Sequence, residues 1–297
     1  MSSQIKKQTK HSQDDGSADL LIGLVGRGIQ QSRTPRMHMA EGAAQGHRIL
    51  YQILDADAFP RGEAPLEKIV GAAELCGFAG LNVTFPYKID VMAFLDELSP
   101  NARAIGAVNT VVFRNGRRIG HNTDKWGFEE GFRRNLPDAK MGHVLQIGAG
   151  GAGVAVAHAL LSLNAARLTI TDTNAARAAA LVTQLSQNAG AAQVDAIGLD
   201  QLSEIAPTGV VNATPMGMAK LPGSAYPVEL LPPDLWVADI VYFPLETELL
   251  AAARAAGCRV LLGSGMAVYQ AVRAYELFTG RKPDPMRMKA TFDSFIS

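Results

Sequence analysis

The segment VLQIGAGGAGVAVAHALLSLNAARLTITDTNAAR, residues 144–177, constrains the fold more than any other. It reads as a strand, a glycine turn, a helix, a second strand and then an acid. Gly148, Gly150 and Gly153 fill G-x-G-x-x-G. In such a turn the first glycine permits the tight bend after the strand. The second lets backbone approach a pyrophosphate, and the third lets the helix pack close to the sheet. The helix start offers free N–H groups and a positive dipole end to phosphates. Asp172 closes the apolar run LTIT, where a carboxylate hydrogen-bonds a ribose 2′-OH and would repel a 2′-phosphate, which favours NAD over NADP. A glycine turn alone is a weak signal, and a plain βαβ turn with a surface Asp is the bland alternative. Here the strand before, the Ala/Leu helix after and the acid at the right remove supply the required context.

The chain has 297 residues, which points to two domains. Hydrophobic residues make up 47% and charged residues 19%, a globular balance that excludes a disordered chain. The formal net charge is zero, so no field draws nucleic acid or an anionic membrane surface. No apolar run approaches the roughly 18 residues that span a bilayer. The two cysteines, Cys76 and Cys258, form no disulfide framework and have no metal-like spacing. Both are expected to be buried thiols in a reducing cytoplasm, and no metal site is expected. Residues 1–18 are polar, lack the apolar core of a secretory signal and are expected to be a disordered tail.

Along the chain, LLIGLVG near Leu20 reads as a buried strand, and Pro35 suits the first turn of the helix that follows. HRILYQILDA is a second strand. Residues 65–76 form a helix with Leu66, Ile69, Val70 and Ala73 on one face. GFAGLNVT is a third strand, and a helix carrying Ile89, Met92, Ala93 and Leu95 is expected after it. AVNTVVFRNGRRIGHNTD is a hairpin turning at Asn115-Gly116. WGFEEGFRRNL is an amphipathic linker helix. After the dinucleotide unit and its alanine-rich helix come the strands GVVNAT and LWVADIVY, the helix ETELLAAARAAG, the strand CRVLLG and a helical end. Strands alternate with helices in both halves, which predicts α/β architecture with parallel sheets.

Ligands bind at strand ends in open α/β sheets. Four polar clusters fall there: Ser32 with Thr34; Asn82, Thr84 and Lys88; Asn109; and Asn122 with Asp124. Their hydroxyls, amides and one Lys/Asp pair suit a small polyhydroxylated ligand. Each alone has a bland counterpart. Ser32 and Thr34 equally describe a turn before a helix. Lys88 equally describes a solvated lysine, and Asp124 an N-cap for the helix that follows. The six histidines show no metal-like spacing and are taken as structural. Moving a hydride between an alcohol and a nicotinamide also moves a proton on oxygen, which needs a positioned acid/base. With no catalytic histidine evident, Lys88 beside Asp124 leads: the lysine exchanges the proton and the aspartate orients lysine and hydroxyl.

At these residues the chain resembles the shikimate dehydrogenase family, from about Leu20 to the C-terminus. The matching motifs, in family order, are SRTPRMH at 32–38, NVTFPYK at 82–88, GAVNT at 106–110, HNTDKWG at 121–127 and GAGGAG at 148–153. NATPMGM at 212–218, DIVYFP from Asp239 and GSGMAVYQ at 263–270 complete the set. The resemblance implies two α/β domains: an N-terminal substrate domain over 19–123, completed by the helices of 264–297, and a doubly wound parallel-sheet Rossmann domain over 124–263. It implies oxidation at the C3 hydroxyl of a shikimate-like ring, with hydride passing to nicotinamide. Lys88 and Asp124 become the catalytic pair. Ser32 and Thr34 would hold the substrate carboxylate, Thr84, Asn109 and Gln270 the ring hydroxyls, and Tyr242 would lie near the carboxylate. Gly148, Ala149, Gly150, Gly151, Ala152 and Gly153 would cradle the dinucleotide, with Asp172 and Arg177 near its ribose. Asn212, Ala213, Thr214, Gly263 and Met266 would border it.

Two departures bear on the branch. NADP-using members resemble N-R-T after the second Rossmann strand, whereas this chain has Thr171-Asp172-Thr173, and Arg177 stands five residues past Asp172. Thr34 stands where biosynthetic members show a second serine, as in the branch that accepts quinate. The expectation is an NAD-dependent quinate/shikimate dehydrogenase of catabolism, acting as a monomer or homodimer. Two other readings stay open. One is a relative acting on shikimate alone, in aromatic biosynthesis, or on an aminoshikimate; the other is a dinucleotide-binding regulator without turnover.

Overall fold

The computed structural model describes residues 19–294, apart from 60, 61, 63 and 188; the expected N-terminal tail lies outside the described residues. The first lobe contains β1 (Leu20–Gly26), α1 (Thr34–Ala44), β2 (Ile49–Asp55), α2 (Leu66–Leu75) and β3 (Gly80–Val83). It continues through β4 (Glu97–Leu98), α3 (Pro100–Ile105), β5 (Thr110–Arg114) and β6 (Arg117–His121). The chain crosses to the second lobe along α4 (Asp124–Asn135). That lobe runs β7 (His143–Ile147), α5 (Gly151–Ser162), β8 (Arg167–Thr171), α6 (Ala175–Ser186), β9 (Gln193–Ala196), β10 (Gly209–Asn212), β11 (Trp236–Asp239), α7 (Glu248–Ala255) and β12 (Arg259–Leu261). The chain returns along α8 (Gly263–Thr279) and ends with α9 (Pro285–Asp293).

The second sheet is parallel throughout, in the order β12-β11-β10-β7-β8-β9. Its strand order reverses between β10 and β7, which opens a crevice at their C-terminal ends. Both faces are covered, so its strands are apolar on both sides. Val144, Leu168 and Ile170 pack under Leu160 of α5 and the α4 phenylalanines. Leu145, Ile147 and Val237 pack under Leu249 and Leu250 of α7. Phe132 meets Trp236 edge-on with centroids 4.9 Å apart, a geometry that adds about 0.5–1.5 kcal/mol beyond burial.

The first sheet corrects the expectation of parallel sheets in both halves. Its order is β2-β1-β3-β5-β6-β4; β2, β1 and β3 are parallel, but β5 is antiparallel to β3 and to β6. The hairpin accounts for the β5–β6 reversal: Asn115 (φ 54°) and Gly116 (φ 69°) adopt the left-handed turn whose twist matches the flanking strands. A second correction concerns residues 89–95. They form only a short 3₁₀ turn, Asp90–Phe94, with Ile89 exposed. The next residues are drawn into the sheet edge, where Asp96 N–H donates to Arg118 O and β4 pairs with β6, so no room remains for a full helix. Third, Cys76 is exposed at the end of α2, on its solvent side, while Cys258 is buried. No helix among the described residues is long and apolar enough to cross a membrane.

The returning helices close the first lobe. Tyr275 and Phe278 of α8 and Met288 and Phe292 of α9 cover the face carrying Ile22 and Ile49. Glu41 of α1, fully buried, receives Arg287 of α9 at 2.6 and 2.9 Å. Burial alone pushes the Glu41 carboxyl up; hydrogen bonds from Arg287, the Asp284 amide and Gln45 outweigh it and hold the group below its ordinary value. The two crossing helices, α4 and α8, touch backbone to backbone. A Cβ on Gly127 would lie 2.7 Å from Gln270 N and 2.8 Å from Met266 O.

Candidate active site

A cavity of about 570 Å³ lies between the lobes, at the C-terminal ends of both sets of strands. Lys88, in the loop after β3, donates from Nζ to Asp124 Oδ2 at 2.7 Å. The lysine side chain is 21% exposed and the aspartate 3%, so the pair faces the cavity from a largely closed wall. Asp124 is the first residue of α4 but does not cap it. Asn122 does: its Oδ1 accepts from the Asp124 and Lys125 amides, and its Nδ2 donates to Ala107 O. The capping alternative for Asp124 is therefore corrected, because Asn122 satisfies the helix start and leaves the carboxylate to Lys88 and Asn109.

Asn109 braces this wall. Its Nδ2 reaches Asp124 Oδ1 and Thr123 Oγ1, each at 2.9 Å, and Gln270 Oε1 at 3.4 Å. Its Oδ1 accepts from the Thr123 amide at 2.8 Å. Lys88 and Asn109 thus hold the Asp124 carboxylate, and Gln270 of α8 is joined to it only through Asn109. Asn82, also at the wall, accepts from Tyr51 Oη at 2.6 Å and donates to Thr110 Oγ1 at 3.1 Å.

Ser32, Thr34 and Thr84 line the same cavity, as do Tyr242 and Gln270. The loop bearing Ser32 is shaped by Asp55 at the end of β2, whose oxygens accept from Gly28 N at 2.9 Å and Ile29 N at 3.0 Å. Burial opposes the Asp55 charge, but these amides, that of Asp57 and the Gln30 side chain hold its carboxyl below the ordinary range.

At the other end, Ala152, Gly263 and Met266 border the cavity and lead to the glycine turn. Gly148 has φ +104°, and a Cβ there would strike Ala213 O at 2.7 Å and Thr214 Cγ2 at 2.8 Å. Gly153 lies so close to the strand that its Cβ would be 2.3 Å from Gly148 O. Gly150 and Gly151, by contrast, face open space, leaving a bare shelf before the first-turn amides of α5. Such a shelf with free N–H groups fits a pyrophosphate, so the residues present suit a dinucleotide. Asp172 Oδ2 accepts from Ala149 N at 2.7 Å and Oδ1 from Asn174 N at 2.8 Å, which holds the carboxylate beside the turn. Arg177 is exposed in the first turn of α6.

Asn212, expected to border the dinucleotide, ends β10 opposite Ile147. It is fully buried; its Nδ2 donates to Met216 O and Asp239 Oδ1, and its Oδ1 accepts from Thr214. It braces the loops after β10 and β11. Burial raises the Asp239 carboxyl, against hydrogen bonds from Val241 N, Thr247 and Asn212. Sequence reasoning missed Thr123, Arg33, Met218 and Phe243 as cavity residues. Their only signal was adjacency to Asp124, to Ser32 and Thr34, to the NATPMG run and to Tyr242.

An α/β lobe with a mixed sheet, a parallel dinucleotide-binding lobe and an acid/base pair between them define a two-lobed, nicotinamide-dependent dehydrogenase. Comparison with known proteins carries this further. Residues 24–111 match the family described as shikimate dehydrogenase substrate binding domain. Residues 263–291 match the shikimate 5′-dehydrogenase C-terminal domain. The NADP(+) shikimate dehydrogenase of Streptomyces avermitilis is 52% identical over 91% of this chain and 94% of its own length. The NAD(+) quinate/shikimate dehydrogenase of Corynebacterium glutamicum strain R is 48% identical over 92% and 98%. The structure of quinate dehydrogenase from C. glutamicum with NAD superposes with a TM-score of 0.90 at 47% identity, covering 93% of this chain and all of the other. The chain belongs to the shikimate dehydrogenase family.

Proposed function

We propose that this protein is an NAD-dependent dehydrogenase that oxidises quinate and shikimate at the C3 hydroxyl. The observation that carries the reading is the Lys88–Asp124 pair at 2.7 Å, facing a cavity with hydroxyl donors at one end and the glycine turn at the other. A nicotinamide dinucleotide, when bound, supplies the hydride acceptor. Gly148, Ala149, Gly150, Gly151, Ala152 and Gly153 would hold its pyrophosphate, with Ala213, Thr214, Gly263 and Met266 beside it. Ser32 and Thr34 hold the ring carboxylate by their hydroxyls, with Tyr242 close by. Thr84, Asn109 and Gln270 orient the ring hydroxyls. Lys88 Nζ, as the neutral amine, hydrogen-bonds the reacting hydroxyl and takes its proton as the carbonyl forms, becoming an ammonium paired with Asp124. Asp124 Oδ2 keeps Nζ aimed at that oxygen, and Asn109 keeps Asp124 in place.

Asp172 supports NAD as cofactor. Its carboxylate, tethered to Ala149 N, would put negative charge where a 2′-phosphate would otherwise lie, while Oδ2, with one hydrogen bond, keeps a lone pair for a ribose hydroxyl. The 48% identical NAD(+) quinate/shikimate dehydrogenase supports the same reading. The 52% identical NADP(+) shikimate dehydrogenase favours a second one, a shikimate-specific biosynthetic enzyme. Initial rates with NAD and NADP on quinate and shikimate separate them. The proposal expects NAD to win on both acids; a higher kcat/KM with NADP, or no turnover of quinate, would overturn it.

A further inference from the structure

One cluster at the cavity mouth plays no part in the chemistry above. Arg33 lies between Ser32 and Thr34 and lines the cavity. Its guanidinium carbon sits 4.9 Å from the ring centroid of Phe292 and 5.7 Å from that of Phe243. Its Nη1 also donates to Phe292 O at 3.4 Å. The two rings come from different lobes. Phe292 is on α9, buried in the core of the first lobe, and Phe243 follows β11 in the second, 54% exposed. Tyr242 meets Phe292 edge-on at 6.1 Å, so two successive residues of the second lobe rest against this one site.

We infer that Arg33 is a positioning residue: clasped between Phe243 and Phe292, it ties the two lobes together and fixes the Ser32 and Thr34 hydroxyls for the substrate carboxylate. The backbone leaves it little freedom to do one without the other. Asp55 pins the loop at Gly28 and Ile29, and α1 begins at Thr34. Four residues span these two anchors, and the Arg33 side chain reaches across the cleft to Phe243. Opening the lobes pulls Phe243 off the guanidinium and releases the hydroxyls on either side; closing them restores both. Substrate binding and lobe closure are thereby coupled through one side chain. A planar guanidinium suits this better than an ammonium, because it stacks on aromatic faces while donating in its own plane.

The test is a double-mutant cycle with Arg33→Met, which keeps the stem and removes the charge, and Phe243→Leu, which removes the ring. A guanidinium over an aromatic ring at a partly exposed site changes an equilibrium by roughly 2- to 5-fold. Each single variant should therefore raise the KM for quinate or shikimate by about that factor, with kcat changed less. The double variant should be no worse than the poorer single one, because both remove the same contact. Phe243→Tyr should restore the parent KM. Small-angle scattering of the protein saturated with dinucleotide and acid should show a more open particle for both single variants. Additive effects, or a Phe243→Leu variant with parent KM and scattering, would overturn the clasp. A rise confined to Arg33→Met would also overturn it, leaving Arg33 as a direct carboxylate ligand. The inference rests on the proposed function only for the choice of acid. If neither acid is turned over, that function fails by itself, and scattering of the dinucleotide-bound parent and variants still decides the clasp.

Discussion

Replacing Lys88 by Met separates what the Lys88–Asp124 pair does for the reaction from what it does for the fold. The substitution removes Nζ, 2.7 Å from Asp124 Oδ2, and leaves a carboxylate only 3% exposed. Breaking a fully buried pair costs about 3–5 kcal/mol, because one charge is left without its partner. Two features lower that figure here. Lys88 is 21% exposed, so water screens part of the attraction, and Asn109 Nδ2 stays on Asp124 Oδ1 at 2.9 Å. We expect a loss of about 2–3 kcal/mol in denaturant unfolding of the ligand-free protein. Turnover should fall about 10²- to 10⁴-fold with a small change in substrate KM, the range for a lost acid/base group. Adding Asp124→Asn to Lys88→Met removes the orphaned charge. Stability should return to within about 1 kcal/mol of the parent while turnover stays low, since a neutral pair of similar shape is close to isoenergetic with the ionic one. Near-parent turnover in Lys88→Met would refute the proton-transfer role. Recovery of turnover along with stability in the double variant would show that the pair acts through the fold.

Two further outcomes follow from the packing. His38 is fully buried, its ring nitrogens have no hydrogen-bond partner among the described residues, and burial lowers its pKa from 6.5 to about 3. The unfolded chain therefore binds the proton that the folded chain refuses, so stability is full above pH 6.5 and falls as pH drops toward 3, by about 2 kcal/mol at pH 5. Urea unfolding at pH 7.5 and 5.0 should show this loss in the parent and a smaller one in His38→Phe; equal losses would refute the assignment. Gly127→Ala would press a methyl group against Gln270 N and Met266 O, costing about 1–3 kcal/mol. Because Asp124 and Gln270 ride on the two helices forced apart, kcat should fall more than thermal stability does. Parent kcat in a folded Gly127→Ala protein would contradict the view that this contact sets the site.

Legibility followed locality. The glycine turn from Gly148 to Gly153 and the hairpin at Asn115-Gly116 were readable because each is specified within a few residues by backbone freedom. Alternation and helical spacing placed most long elements. Other elements escaped notice for identifiable reasons. β9 is a half-exposed edge strand without alternation, and β4 has only two residues. α3 did carry a signal, Ser99 capping the Ala102 amide with Pro100 at the first turn, but it is only six residues long. Cys76 looked buried by residue type; its place at the end of α2 put it in solvent.

By itself the amino-acid order determined which chemistries were on offer: a phosphate turn, an acid beside it, and hydroxyls, amides, a lysine and an aspartate at strand ends. It could not distribute the labour among neighbours. That Asn122 caps α4 and so frees Asp124, that Asn212 braces two loops from a buried position, and that Arg33 lies between rings of both lobes were decided by tertiary structure. The physical reason is range. Turn preference and hydrophobic period act over a few residues, whereas the contacts that give Asp124, Asn109 and Gln270 their places join positions 14 to 161 residues apart and exist only once the helices and sheets have packed.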